Sequence, residues 1–326
     1  MGMFDSTRRQ FIAQAGALAL APRAVAQARP ALDPLLAMPG RDLAALIAAR
    51  KASAEEVMRA VLAQIGAHNP AHNAIVALQD GDLLLRQARA MDARLAGGEV
   101  PGPLFGLPWA VKDLAEVIGI RSTGGSLVYK DRVPSSEGIM VQRLRKAGAI
   151  FIGKTNAPEF GFGSHTINRV HGPTRNSFDT RKSAGGSSGG AGVGLALRML
   201  PLADGSDFGG SLRNPAAWNN VFGFRTGIGV IPPEGNDQWI SRMGVPGPMA
   251  RHAADLGLVL SVMAGRHPAS LQSLEVDARA FAGPLDADHK GVRIGWLGDW
   301  AGQVPHQPEV LAICEGALPA FRAMGC

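Results

Sequence analysis

Two serines and one lysine carry the chemistry that this sequence can offer. Ser187 lies in Gly185-Gly186-Ser187-Ser188-Gly189-Gly190, and Ser211 in Gly205-Ser206-Asp207-Phe208-Gly209-Gly210-Ser211-Leu212-Arg213. Lys112 ends the apolar run Trp109-Ala110-Val111. A serine hydroxyl is a poor nucleophile until a base takes its proton. Glycine neighbours let the backbone approach a substrate closely, because no Cβ stands in the way. The N–H groups of Phe208, Gly209, Gly210 and Ser211 form a run able to converge on one oxyanion. A lysine on a buried strand loses hydration, its pKa falls from about 10.4, and it becomes a base. Together these residues suit acyl transfer through an activated serine. Nothing calls for a metal: the eight histidines and two cysteines (Cys314 and Cys326) include no H-E-x-x-H or C-x-x-C spacing.

Two other patterns compete for attention. Gly148–Thr155 reads GAIFIGKT and satisfies the nucleotide-binding pattern G-x-x-x-x-G-K-[ST]. A phosphate loop begins after its strand, so that free N–H groups curl around the phosphates. Here Ala149, Ile150, Phe151 and Ile152 read as the strand itself, and a sheet uses up their N–H groups. Gly148 then reads as a helix C-cap and Lys154 as a strand-end surface residue. The second pattern is Gly185-x-Ser187-x-Gly189, which fits the nucleophile elbow G-x-S-x-G, with Asp288-His289 downstream in α/β-hydrolase order. That alternative makes Ser187 the nucleophile of an esterase. It leaves Lys112 and the second glycine-serine block without a task.

The compound motif across residues 184–226 resembles the amidase signature family, which includes bacterial amidases, fatty-acid amide hydrolase and the A subunit of tRNA-dependent amidotransferases. The resemblance runs from about residue 40 to the end. It implies a Ser–cis-Ser–Lys triad: Ser211 as nucleophile, Ser187 on a cis peptide as relay and Lys112 as base. It places the oxyanion hole on the backbone of Phe208, Gly209, Gly210 and Ser211, with Asp207 and Arg213 supporting the loop. The implied reaction converts a carboxylic amide to the acid plus ammonia or an amine through an acyl-enzyme. A small-molecule amide is then the partner, and no cofactor or metal is required. The implied fold is α/β, a mixed twisted β-sheet covered by helices on both faces. It forms a single domain over 29–326, with a helical part at 40–98, a catalytic core at 100–265 and a C-terminal part at 266–326. A non-catalytic or amidotransferase-A-like relative would share these motifs, although an export signal weighs against a tRNA-modifying partner. Ser177, Ala184 and Thr226 stand where the family commonly carries proline, which bears on loop rigidity and not on the triad. Phe160, Phe162 and His165 border the acyl pocket by resemblance and read as loop packing.

The elements that must hold these residues follow from periodicity. Strands alternating with helices argue for an α/β sheet with helices on both faces. In the helical part, Ser53 and Glu56 make a capping box, and Val57, Val61 and Ile65 share a face. Asn69-Pro70 is expected to end that helix, and a second one over 82–96 stops at Gly97-Gly98. Trp109–Val111 reads as a strand, Val141–Ala147 as a helix and Ala149–Ile152 as a strand. Gly291–Leu297 is expected to be a strand and Pro308–Met324 an amphipathic helix. A further parallel strand normally follows such a unit, so the C-terminal part is expected to be incomplete.

Composition agrees with a packed core: 46% of the 326 residues are hydrophobic and 18% charged. The net charge of +6 is scattered and forms no nucleic-acid stripe. No apolar run reaches the ~20 residues of a membrane span. At the N-terminus, Arg8-Arg9, the apolar stretch Ile12–Pro22 and Ala26-Gln27-Ala28 resemble a twin-arginine signal. Residues 1–28 are therefore expected to direct export, to the periplasm or beyond, with cleavage after Ala28.

Overall fold

The computed structural model describes residues 32–234 and 243–326; the twin-arginine-like segment lies outside them. The described chain opens with helices α1 (Pro34–Ala37), α2 (Gly40–Ala48) and α3 (Ala54–His72). The capping box of α3 is complete. Ser53 Oγ accepts from Glu56 N–H at 3.0 Å, and the Glu56 carboxylate accepts from Ser53 N–H at 2.8 Å. Val57, Val61 and Ile65 are buried along its inner face. The expected stop at Asn69-Pro70 is not where α3 ends: Pro70 lies within the helix, which reaches His72 and closes on Asn73 in the left-handed region (φ 52). Pro70 and Gly66 both lie on the exposed side. Water can replace the hydrogen bond that proline removes there. Asn69 serves the chain beyond the helix instead, with Oδ1 accepting from the N–H groups of Ala74 and Ile75.

Strand β1 (Ile75–Val76), helix α4 (Gly81–Ala96), strand β2 (Pro108–Lys112), helix α5 (Ile139–Lys146) and strand β3 (Ile150–Thr155) follow. The sheet order is β1-β3-β2, with β3 antiparallel to β1 and parallel to β2. Every residue of β2 and β3 is buried, as befits parallel strands covered on both faces.

The second half holds α6 (Gly189–Ala196), β4 (Ala203–Asp207), α7 (Arg213–Asn219), β5 (Phe222–Gly223), β6 (Val245–Ala250) and α8 (Ala253–Met263). Its sheet is antiparallel with the order β4-β6-β5. The sheet structure is thus two three-stranded pieces, and helices complete the α/β architecture. Helices α3 and α4 pack on β2 and β3, α8 packs on β6, and α6 packs against strands of both sheets. Glycine makes that last approach possible: a Cβ on Gly190 would lie 2.3 Å from Asn156 N and 2.6 Å from Ala74 O.

Two expectations for the C-terminal part fail. Residues 292–297 form no strand among the described residues and are exposed. No described strand lies beside them to share a ladder. The expected single helix is two short ones, α9 (Pro308–Glu315) and α10 (Leu318–Ala323), divided at Gly316-Ala317, and neither buries a residue. Without a surface to pack on, an amphipathic face supplies little stability.

Candidate active site

Lys112 ends β2 and is 2% exposed. Its Nζ lies 2.8 Å from Ser187 Oγ, 2.8 Å from Ser188 Oγ and 2.9 Å from Ser206 Oγ. Burial pushes its pKa down to about 7, against the pull of Asp204 and Asp207. A neutral amine has two N–H donors and one lone pair. Ser188 Oγ already accepts from Ser206 N–H at 3.3 Å and donates to Ser206 O at 3.4 Å, so toward Lys112 it is an acceptor. Donation to Ser188 and Ser206 leaves the lysine lone pair for the Ser187 hydroxyl. The Gly186–Ser187 peptide is cis, as the family resemblance implied. Ser188 N–H donates to Ser211 O at 3.2 Å and draws the two glycine-serine blocks together. Ser188 and Ser206 went unnoticed as lysine partners in the sequence, although both stand inside the quoted motifs.

The loop that carries Ser211 is organised around Asp207, which is fully buried. Its carboxylate accepts from Gly210 N–H at 2.9 Å and Leu212 N–H at 3.1 Å. Two guanidinium groups, of Arg213 and Arg225, reach it at 3.0 Å. Burial alone would push this carboxyl up, but the Arg213 guanidinium and the backbone donors hold it well below the usual range. Arg225 is a second support that motif reading passed over. Gly210 has φ +119, and a Cβ there would strike Asn214 at 2.7 Å. The Gly210 N–H is engaged with Asp207. The N–H groups of Phe208, Gly209 and Ser211 carry no partner among the described residues.

Ser211 opens on a cleft of about 560 Å³ whose walls include Phe160, Phe162, Phe208, Gly186 and Asn214. The two phenylalanines expected as loop packing are exposed into it instead, Phe160 at 50% and Phe162 at 84%. His165 turns away, with Nδ1 2.7 Å from Ser183 Oγ and its ring beside Trp218. A second cleft, of about 600 Å³, is lined by Lys112, Ser206 and the other side of Phe208.

Both competing motifs dissolve in this geometry. Residues 150–155 of the phosphate-loop match are strand β3, and Gly148 follows helix α5 with φ +96, the conformation of a C-terminal glycine. Lys154 is not a surface residue: it is fully buried, donates to Ala115 O, and has a pKa pushed down to about 8 by that burial. Strand β3 is covered on both faces, so its end is no more exposed than its middle. His289 is exposed, and Ser187 Oγ is held by Lys112, so no esterase arrangement forms around Ser187.

A family model described as Amidase matches residues 56–326. The chain belongs to the amidase signature family. Its relatives include an acylamidase of Rhodococcus erythropolis, 38% identical over 285 residues, covering 87% of this chain and 59% of the relative. The A subunit of a glutamyl-tRNA(Gln) amidotransferase from Acidothermus cellulolyticus is 41% identical over 255 residues, covering 78% and 50%. Among solved structures, a bacterial aryl acylamidase of this family superposes with a TM-score of 0.82 at 31% identity, over 90% of this chain and 60% of that one. This amidase signature chain therefore spans less than two thirds of the length of each of these relatives.

Proposed function

We propose that this chain provides the catalytic constellation of an amide hydrolase, acting through an acyl-enzyme on Ser211. The observation that carries the reading is a buried lysine, depressed to about pKa 7, whose amine sits 2.8 Å from the hydroxyl of Ser187, the neighbour of Ser188, whose N–H bonds the Ser211 carbonyl. In the proposed cycle Ser211 Oγ attacks the amide carbonyl and its proton passes to Ser187, whose own proton moves to the Lys112 lone pair. The tetrahedral oxyanion rests on the N–H groups of Phe208, Gly209 and Ser211, which have no partner among the described residues, while the Gly210 N–H stays with Asp207; each such donor is worth ~3 kcal/mol. Protonated Lys112 returns a proton through Ser187 to the leaving nitrogen, and the C–N bond breaks. Water then repeats the path and releases the acid. Nucleophile, relay and base are all side chains of this chain, so the scheme asks for no further group.

The cleft favours an uncharged amide that bears a ring. Phe160, Phe162 and Phe208 supply exposed aromatic walls, and among the described residues no Lys, Arg or His lines the cleft, its one ionisable side chain being Glu234, whose carboxyl burial pushes up toward the neutral form. Glutamine would bring a carboxylate that needs a cationic partner. The likeness to an aryl acylamidase supports the same choice. Ammonia or amine release from benzamide, acetanilide, propionamide and glutamine tests both levels of the reading. Turnover of the two aromatic amides ahead of the others is expected; release from none of them removes the hydrolase reading, and preference for glutamine removes the specificity reading. Export rests on the twin-arginine-like segment alone. Its test is fractionation, with the chain expected outside the cytoplasm and Arg8→Lys/Arg9→Lys retaining it within.

A further inference from the structure

Strands β2 and β4 lie in different sheets and share no backbone ladder. One carboxylate joins them beside Lys112. Asp204 of β4 is 1% exposed; its Oδ1 accepts from Trp109 Nε1–H at 2.8 Å and its Oδ2 from Lys112 N–H at 3.1 Å. Both donors belong to β2. Ser206, two residues along β4 and so on the same face as Asp204, takes a hydrogen bond from the lysine amine. The strand that clamps the lysine backbone therefore also receives its side chain. We propose that Asp204 is a positioning residue, which fixes the end of β2 against β4 so that Lys112 meets Ser187, and whose charge sets how tightly Lys112 holds its proton. The inference rests on Lys112 being the base of the proposed reaction.

The charged groups around this seam are few. Beyond β2, Asp113 is tied to Thr123 and lies 3.7 Å from His171. Glu116, Glu137 and Glu234 line the cleft on the Lys112 side; Glu137 is paired with Arg145, and Glu234 accepts from Met140 N–H. Strand β3 brings Lys154, and β4 brings Asp204 and Asp207. Helix α6 and strand β6 bring no ionisable side chain. Asp204 and Asp207 are the anions that act on Lys112 against its burial. Asp207 is already matched by two guanidinium groups, whereas Asp204 meets none. A buried carboxylate needs a compensating charge, and a working base must be neutral, so Lys112 cannot supply it. Lys154, whose pKa burial pushes down to about 8, can supply part of it: its charge opposes the upward push of burial, which still leaves the Asp204 carboxyl above its ordinary range.

The test titrates ¹⁵N-lysine-labelled full-length chain by NMR, with the Lys112 resonance identified by its loss in Lys112→Arg. In Asp204→Asn the Lys112 midpoint is expected to fall by about one pH unit, the smaller end of what one nearby charge does. Trp109→Phe keeps the charge, and its midpoint should stay within a few tenths of a unit of the wild type. If Asp204→Asn alone does not fold, the double variant Asp204→Asn/Lys154→Met removes both buried charges, and it is compared with Lys154→Met: the Lys112 midpoint should lie about one pH unit lower in the double variant than in Lys154→Met. On an amide that is turned over, the acid limb of kcat/KM should follow the NMR midpoint, with a lower plateau because the base is weaker. An unmoved midpoint in the folded variants overturns the proposal. Absence of amide turnover in the wild type would count against the hydrolase reading, while the NMR midpoint still judges Asp204.

Discussion

Ser187 Oγ has one partner that explains its place, the amine of Lys112, and the residue-scale predictions start there. Ser211→Ala is expected to abolish amide hydrolysis, with Ser187→Ala and Lys112→Ala losing about 10⁴-fold or more, as members of one proton path do. Trapping the acyl group on Ser187 in place of Ser211 would reverse the assignment. With Lys112 at about pKa 7, kcat/KM should be half-maximal near pH 7 and level above it, because only the neutral amine accepts a proton. Lys112→Arg should be inactive at every pH in that range, since a guanidinium stays protonated; appreciable turnover by it would take lysine out of the mechanism. Ser206→Ala removes one of the acceptors that orient the amine and not the proton path itself. A loss of about tenfold is expected there, read as lower kcat.

At the scale of elements, the turn from β4 into α7 presents Ser211, and Asp207 holds that turn. Its carboxylate gathers Gly210 and Leu212 N–H together with Arg213 and Arg225. Asp207→Asn keeps one acceptor oxygen and loses the other with the charge. Because Arg213 is more than half exposed, its ion pair is screened, and the expected destabilisation, about 2 kcal/mol, comes mainly from the buried backbone donors and the less exposed Arg225 pair. The oxyanion donors would shift with the turn, so activity should fall by about 10²-fold even where the variant is fully folded. Thermal unfolding and kcat measured on the same sample separate the two effects; full activity at normal stability would show that Asp207 does not hold the loop.

For the molecule as a whole, two buried lysines make stability depend on pH. Lys112 at about 7 and Lys154 at about 8 both lie below the ~10.4 of an unfolded lysine. Between those values the unfolded chain binds more protons than the folded one, so stability rises with pH; the cost of burying the amines is fully present below about pH 7. The melting temperature is therefore expected to climb from pH 7 to about pH 10, with a shallower climb in Lys154→Met. Equal slopes in the two proteins would mean that Lys154 is not buried as a titrating amine.

The sequence by itself determined the α/β class, the capping box of α3, the β2 strand with its terminal lysine, and the two serine blocks. Each is written in neighbouring residues: periodicity, cap chemistry, glycine spacing. What only the tertiary structure decided depends on residues far apart in the chain. Lys154 ends a strand and looked solvated, yet the sheet and its covering helices bury it completely. Asp204 shows no periodicity or motif that marks it, because its partners Trp109 and Lys112 come from a strand about a hundred residues earlier. Phe160 and Phe162 acquire a cleft to face only when the Ser211 loop folds opposite them. Residues 292–297 have the composition of a strand, but a strand exists only where a neighbour accepts its hydrogen bonds, and no described neighbour does.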